Sequence, residues 1–220
     1  MENKDLATAL TDEIGDDYLQ EIATDLGDVA IDQILTDEIL KEIPIFGLLL
    51  KTYKSAIGIR EQIFIKKIAI FLFNLKDVSK EKRQAFINKI DTEKEFGHKV
   101  GEKLLILLER VDDLQKPQII AKIFKAAVNE HINYEQFLKL SAIVERAFLP
   151  DLLTLKTGKH QTKDVLDHFV SIGVMTLNIE LKRNLYRVRA SIGGKDTPPE
   201  PELKYIPNTL YYLLIQYGLK

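Results

Sequence analysis

The sequence predicts a mainly α-helical protein: a multi-helix bundle with a small C-terminal α/β appendage of helix, β-hairpin and helix, in a winged-helix-like order. Three observations carry that prediction. Apolar residues recur at steps of three and four over most of residues 16–172, the period of a helix with one buried face. From Val174 onward the period changes to two, the signature of a strand. Proline and glycine stand at the joints between these runs, at Pro44, Pro117, Pro150 and Gly173. With 45% hydrophobic and 29% charged residues in a chain of 220, there is enough apolar side chain for a real core, which excludes a disordered chain. The composition divides into an acidic helical arm (1–42), a bundle core (43–155) and a helix–hairpin–helix subdomain (156–220).

In the arm, Leu19, Ile22, Ala23, Leu26, Ala30, Ile34 and Leu35 follow helical spacing, with Asp17, Glu21, Asp25, Asp28 and Asp32 on another face. Pro44 sets a boundary, because it drives Ile43 away from helical angles. Residues 45–75 are the most hydrophobic part of the chain, and after Lys67 the apolar residues cover every face of a helix. This stretch is expected to be the spine of the core. Ser79 begins the next helix as N-cap, with Ala85, Phe86 and Ile90 inward. A further helix covers Lys99 to Asp113. Pro117 then suits the first turn of another, reaching Val128. Asn133 and Gln136 form a capping box for a helix with Phe137, Leu138, Leu140, Ile143, Val144 and Phe148 inward, closed by Pro150.

The tail reads differently. Val165, Leu166, Phe169, Val170 and Ile172 make one more helix, ended by Gly173. Met175, Leu177, Ile179 and Leu181 alternate with polar residues in a first strand. Lys182-Arg183-Asn184 is expected to turn the chain into a second strand through Tyr186, Val188 and Ala190. An irregular loop over Gly193 to Pro201 leads to a last helix, Pro207 to Tyr217.

Charge is segregated. Residues 1–42 hold thirteen acids and two bases, a net of −11, whereas residues 43–220 hold twenty acids and twenty-nine bases, a net of +9. An acidic arm beside a basic body docks on it, shields it, or is displaced from it by an anionic partner. Self-docking is the simplest of the three. The N-terminus is acidic where an export signal is basic and then apolar, and no apolar run approaches the ~20 residues of a membrane span, so a cytoplasmic location is expected.

The absence of cysteine excludes disulfides, a thiol nucleophile, iron–sulfur clusters and thiolate zinc sites. His98, His131, His160 and His168 never fall at the spacing that sets two imidazoles on one helical face, so no metal site is called for. Pro150-Asp151 and Glu180-Leu181-Lys182 spell the PD-(D/E)xK nuclease pattern, in which two carboxylates hold Mg²⁺ and the lysine steadies a water. Asp151, however, belongs to no strand in this reading. Gly193-Gly194-Lys195-Asp196 and Gly97 to Gly101 are incomplete phosphate loops and read as turns. In a winged-helix tail, Gln161–Ile172 would be the recognition helix, with Lys182, Arg183, Arg187 and Arg189 on the wing as candidate nucleic-acid contacts. Asp164 and Asp167 give that helix the wrong sign for phosphate. A membrane-acting reading places the 43–75 stretch at a bilayer, with Lys51, Lys54, Arg60, Lys66 and Lys67 toward headgroups. Core packing explains the same residues with fewer assumptions.

The run Ile43-Pro44-Ile45-Phe46-Gly47-Leu48, then Lys66-Lys67-Ile68 and Phe71-Leu72, followed by the hairpin-and-helix tail, resembles a loose group of uncharacterised bacterial proteins from variable genome regions. The resemblance implies a bacterial cytoplasmic origin and a setting in anti-phage or mobile-element functions, and it carries over no catalytic residue. The sequence thus points to a non-enzymatic protein-interaction or regulatory module without cofactor. Its partner is a protein or a second copy, and no small-molecule substrate is evident. A nucleic-acid-binding regulator is the alternative, followed by a membrane-acting effector or an Mg²⁺ nuclease.

Overall fold

A computed structural model describes residues 5–16, 43–52, 58–93, 99–157, 161–180 and 201–220. Among these, the chain forms α1 (Leu6–Ile14), α2 (Pro44–Thr52), α3 (Ile59–Phe73), α4 (Lys80–Thr92), α5 (Val100–Arg110), α6 (Lys116–Val128), α7 (Tyr134–Arg146), α8 (Leu149–Thr157) and α9 (Lys163–Ser171). Strands β1 (Met175–Glu180) and β2 (Glu202–Pro207) follow, then α10 (Thr209–Leu213), which runs on as a π-helical turn over Leu214–Leu219. The architecture is a helical bundle with a two-stranded antiparallel sheet near its C-terminal end. None of the described helices is long and apolar enough to cross a membrane.

The hub of the bundle is α6. Its sequence, KPQIIAKIFKAAV, is apolar on nearly every side, and all but Gln118, Lys122 and Lys125 are buried. It packs against α3, α4, α7 and the C-terminal π turn. At its middle, the Phe124 ring meets Phe71, Phe86 and Phe137 edge-on, at centroid distances of 5.5, 5.3 and 5.5 Å. This is the favoured arrangement of aromatic quadrupoles. The expected spine is therefore only partly a spine. The second half of α3, Ile65 to Leu72 apart from Lys66, is buried, but Ile59 and Ile63 in its first half are 77% and 39% exposed.

Helix α1, from the acidic segment, is part of this core, with Leu10 and Ile14 fully enclosed against α2, α4 and α5. Its approach to α5 is so close that a Cβ on Gly101 would run into the Ala7 carbonyl. The carboxylate-lined helix expected over residues 16–40 lies almost wholly outside the described residues.

Three buried cations close helix ends. Arg83 donates to the carbonyls of Ile14 (2.6 Å), Asp16 (2.8 Å) and Val78. Lys67 donates to Glu109 O (3.1 Å) and Val111 O (2.6 Å) at the end of α5. Lys116 donates to Glu145 O (3.0 Å) at the end of α7 and pairs with Asp112 at 2.5 Å. The last turn of a helix leaves carbonyls without intrahelical donors, and a cation there complements the helix dipole. Lys67 consequently faces the interior. Arg83 occupies an inward position of α4 that the apolar pattern assigned to Ala85, which is exposed.

The capping box is present as read: Gln136 N–H donates to Asn133 Oδ1 at 2.8 Å, and Asn133 N–H to Gln136 Oε1 at 2.9 Å. Asn133→Ala is expected to lower stability by about 1 kcal/mol, measured as a shift in the urea midpoint. Unchanged stability would show that the box is dispensable. Pro150 has the opposite role to the one expected. Helix α7 already ends at Arg146, Phe148 is 58% exposed, and Pro150 sits in the first turn of α8. A missing N–H costs nothing there, because first-turn donors have no intrahelical acceptor.

Candidate interaction surface

The C-terminal sheet grows out of α9. Thr162 caps that helix, Gly173 leaves it at φ +87°, and Val174 and Met175 are buried before β1 emerges. The register pairs Met175 with Pro207, Leu177 with Tyr205, Ile179 with Leu203 and Glu180 with Glu202. Directly paired residues project to the same side of a sheet. One face is therefore Met175, Leu177, Ile179, Leu203 and Tyr205, and the other Thr176, Asn178, Glu180, Lys204 and Ile206.

Exposure along the apolar face rises with distance from the bundle. Met175 is buried, Leu177 and Tyr205 are half-buried, and at the far end Ile179 and Leu203 are 59% and 38% exposed. The near end is tied to α9 by the Tyr205 hydroxyl, which donates to Asp167 at 2.5 Å; that bond raises the Tyr205 pKa above its ordinary value. The root of the sheet is closed by Asn208, whose amide donates to Gly173 O (2.8 Å) while its Oδ1 caps α10. Across the polar face, Lys204 meets Glu180 at 2.6 Å. A sheet anchored at one end thus extends an apolar face past the helix that covers its base.

Strand β2 is a correction to the sequence reading. Among the described residues β1 pairs with Glu202–Pro207, a segment the sequence reading assigned to loop and helix start; the expected strand through Tyr186, Val188 and Ala190 lies outside the described residues together with its Lys182-Arg183-Asn184 turn. The signal was present in the alternation of Leu203, Tyr205 and Pro207 with Lys204 and Ile206. It was masked by Pro201 and Pro207, which read as loop, although proline is tolerated at the ends of an edge strand.

No protein-family model, curated protein or solved structure matches the chain.

Lys182, Arg183, Arg187 and Arg189 fall in the 181–200 connection between the strands, outside the described residues. The order α8, α9, β1, β2 is that of a helix pair followed by a wing, but the exposed side of α9 presents Asp164 and Asp167 beside Lys163. Of the nuclease letters, Asp151 stands in the first turn of α8, on a helix, while Glu180 ends β1 in its pair with Lys204. His131 stacks on Tyr217, and His168 Nε2 accepts from the Phe148 N–H at 3.5 Å. Among the described residues no three His, Asp or Glu side chains are grouped to hold a metal. Two open grooves among the described residues also lie on the surface. One, of about 980 Å³, lies between α4 and the α6–α7 turn, where Lys82 and Lys89 are engaged by Asn129 and Glu130. The other, of about 830 Å³, lies between α3 and α5 and is crossed by the Arg60–Glu109 pair.

Proposed function

We propose that this chain is a non-enzymatic, cytoplasmic interaction module whose C-terminal sheet docks onto another protein chain. The observation that carries the reading is the apolar far end of the sheet, Ile179 and Leu203, held away from the core by a polar-capped root. A folded chain with apolar material to spare leaves such residues outside only at a cost in lost burial, about 25 cal/mol for each Å² kept in water. Interfaces recover that area. Binding rather than catalysis is favoured because two of the groups singled out for chemistry have structural partners: Glu180 pairs with Lys204 and His131 stacks on Tyr217.

Nucleic-acid binding is the weaker reading, because a recognition helix bearing Asp164 and Asp167 repels phosphate. The test is comparative. Ile179→Asp with Leu203→Asp should leave the melting temperature unchanged and abolish the stoichiometric complexes that the wild-type chain forms, read by quantitative crosslinking in its native host. Identical complexes from both proteins would end the reading.

A further inference from the structure

We infer that α1 is a proton-controlled latch on the bundle: loss of the proton from the Glu13 carboxyl opens this helix as a unit, ahead of global unfolding, and uncovers the apolar surface that it hides. The ground is a position that a charge holds badly. Glu13 lies in the last turn of α1, is 5% exposed, and its Oε1 has no hydrogen-bond partner among the described residues. A buried carboxyl lacking such bonds is tolerated as the neutral acid and is much more costly as the anion.

The elements packed around α1 do little to compensate the anion. On α1 itself, Asp16 and Asp12 oppose ionisation of Glu13. On α2 the backbone N–H of Ile45 favours the anion, and the one charged residue of that helix, Lys51, stands in its last turn. On α4, Lys80 is held by the Asp16 carboxylate at 3.2 Å, Arg83 donates to the carbonyls of Ile14, Asp16 and Val78, and Asp91 accepts from the Val100 N–H. At the start of α5, Glu102 is a further acid, and Lys99 acts on Asp5 at the opposite end of α1. Burial first, and the two acids after it, raise the Glu13 pKa from 4.5 to about 7. The folded value lies above the unfolded one, so the hold on α1 is complete below about pH 4.5 and weakens as pH rises through about 7.

The opening is local because α1 stands apart from the centre of the core. Leu10 and Ile14 are enclosed against α2, α4 and α5, whereas the aromatic centre, Phe124 with Phe71, Phe86 and Phe137, contains no residue of α1. Parts of a fold joined to its centre by few contacts open separately from it. Departure of α1 uncovers Leu10, Ile14 and the Gly101 side of α5 together.

Native-state hydrogen exchange of the full-length protein, corrected for the intrinsic rate at each pH and repeated in low urea, tests the latch. Amides of α1 should exchange through an opening that takes less free energy than that of α6 amides and depends little on urea. Its equilibrium constant should rise on the order of tenfold between about pH 5.5 and 7.5. Glu13→Gln should remove that rise. Asp16→Asn, which keeps the backbone carbonyl that Arg83 uses, should move its midpoint to lower pH. If α1 and α6 amides shared one opening constant and one urea slope, only global unfolding would release α1 and the latch would be overturned. It would equally be overturned by an α1 opening that ignores pH in the wild type, or by a rise that persists in Glu13→Gln. Ile179 and Leu203 take no part in this opening, so its failure leaves the docking reading untouched.

Discussion

Arg83→Met is expected to destabilise the fold by about 3–5 kcal/mol, since each buried carbonyl left without a donor costs roughly 1–3 kcal/mol, two of the three it serves are buried and the third is partly so. The side chain is 1% exposed and joins the end of α1 to α4 through Ile14 and Asp16, with a third bond to Val78. Methionine fills most of the volume while removing every donor, so the loss reports on hydrogen bonding more than on packing. Arg83→Lys should recover only part of it, because one ammonium cannot reproduce a planar fork of donors aimed at separated oxygens. Urea denaturation with a matched m-value measures both. A loss below about 1 kcal/mol for the methionine variant would mean that water satisfies these carbonyls instead. Since α1 enters the core through this contact, protection of its amides from hydrogen exchange should fall first in the variant.

Glu13→Gln is expected to act in the opposite direction and only above mildly acidic pH. Glu13 is 5% exposed, its Oε1 has no hydrogen-bond partner among the described residues, and its pKa is raised from 4.5 to about 7. Burial is the main cause, reinforced by the nearby Asp16 and Asp12 and opposed by the backbone N–H of Ile45 at the start of α2. Because the folded value lies above the unfolded one, the native state holds the proton more tightly. The stability of the neutral form is complete below about pH 4.5 and is lost progressively as pH rises to about 7. A shift of this size corresponds to about 3 kcal/mol at most. Glutamine keeps an acceptor for Ile45 and cannot ionise, so the variant should be more stable than the wild type by roughly 2–3 kcal/mol at pH 8 and nearly equal at pH 4. Denaturation midpoints from pH 4 to 8 give the comparison. Parallel curves for the two proteins would show that Glu13 does not titrate in this window.

The two variants concern the same place, the C-terminal end of α1, and both residues were missed in the sequence. The reason is physical. An apolar face is found by its period, and Arg83 and Glu13 are charged letters at inward positions, so a reading that equates charge with solvent passes over them. Lys67 is a further charged letter inside an apolar run, and its amine reaches back to the end of another helix. What decides such cases is where a distant helix happens to stop.

The elements whose signals are local were legible. The capping box of Asn133 and Gln136, the exit at Gly173, the first-turn proline of α6 and the all-round burial of Ile68 to Leu72 follow from bonds and contacts within a few residues. The candidate surface was half legible. Alternation identified β1, and its apolar residues form the projecting face. Its partner was not found, because pairing across 21 intervening residues leaves no short-range mark and β2 is bracketed by prolines.

By itself, then, the sequence determined the mainly helical class, the helix boundaries at Asn133, Pro117 and Gly173, and the change to a two-residue period near the C-terminus, since these arise from neighbours along the chain. Only the tertiary structure decided that α6 shares the centre of the core with the buried part of residues 43–75, which cations are buried, which described strand pairs with β1 and which apolar residues remain outside. Each of those depends on groups far apart in sequence competing for the same interior space, and the outcome of that competition is written in no single segment.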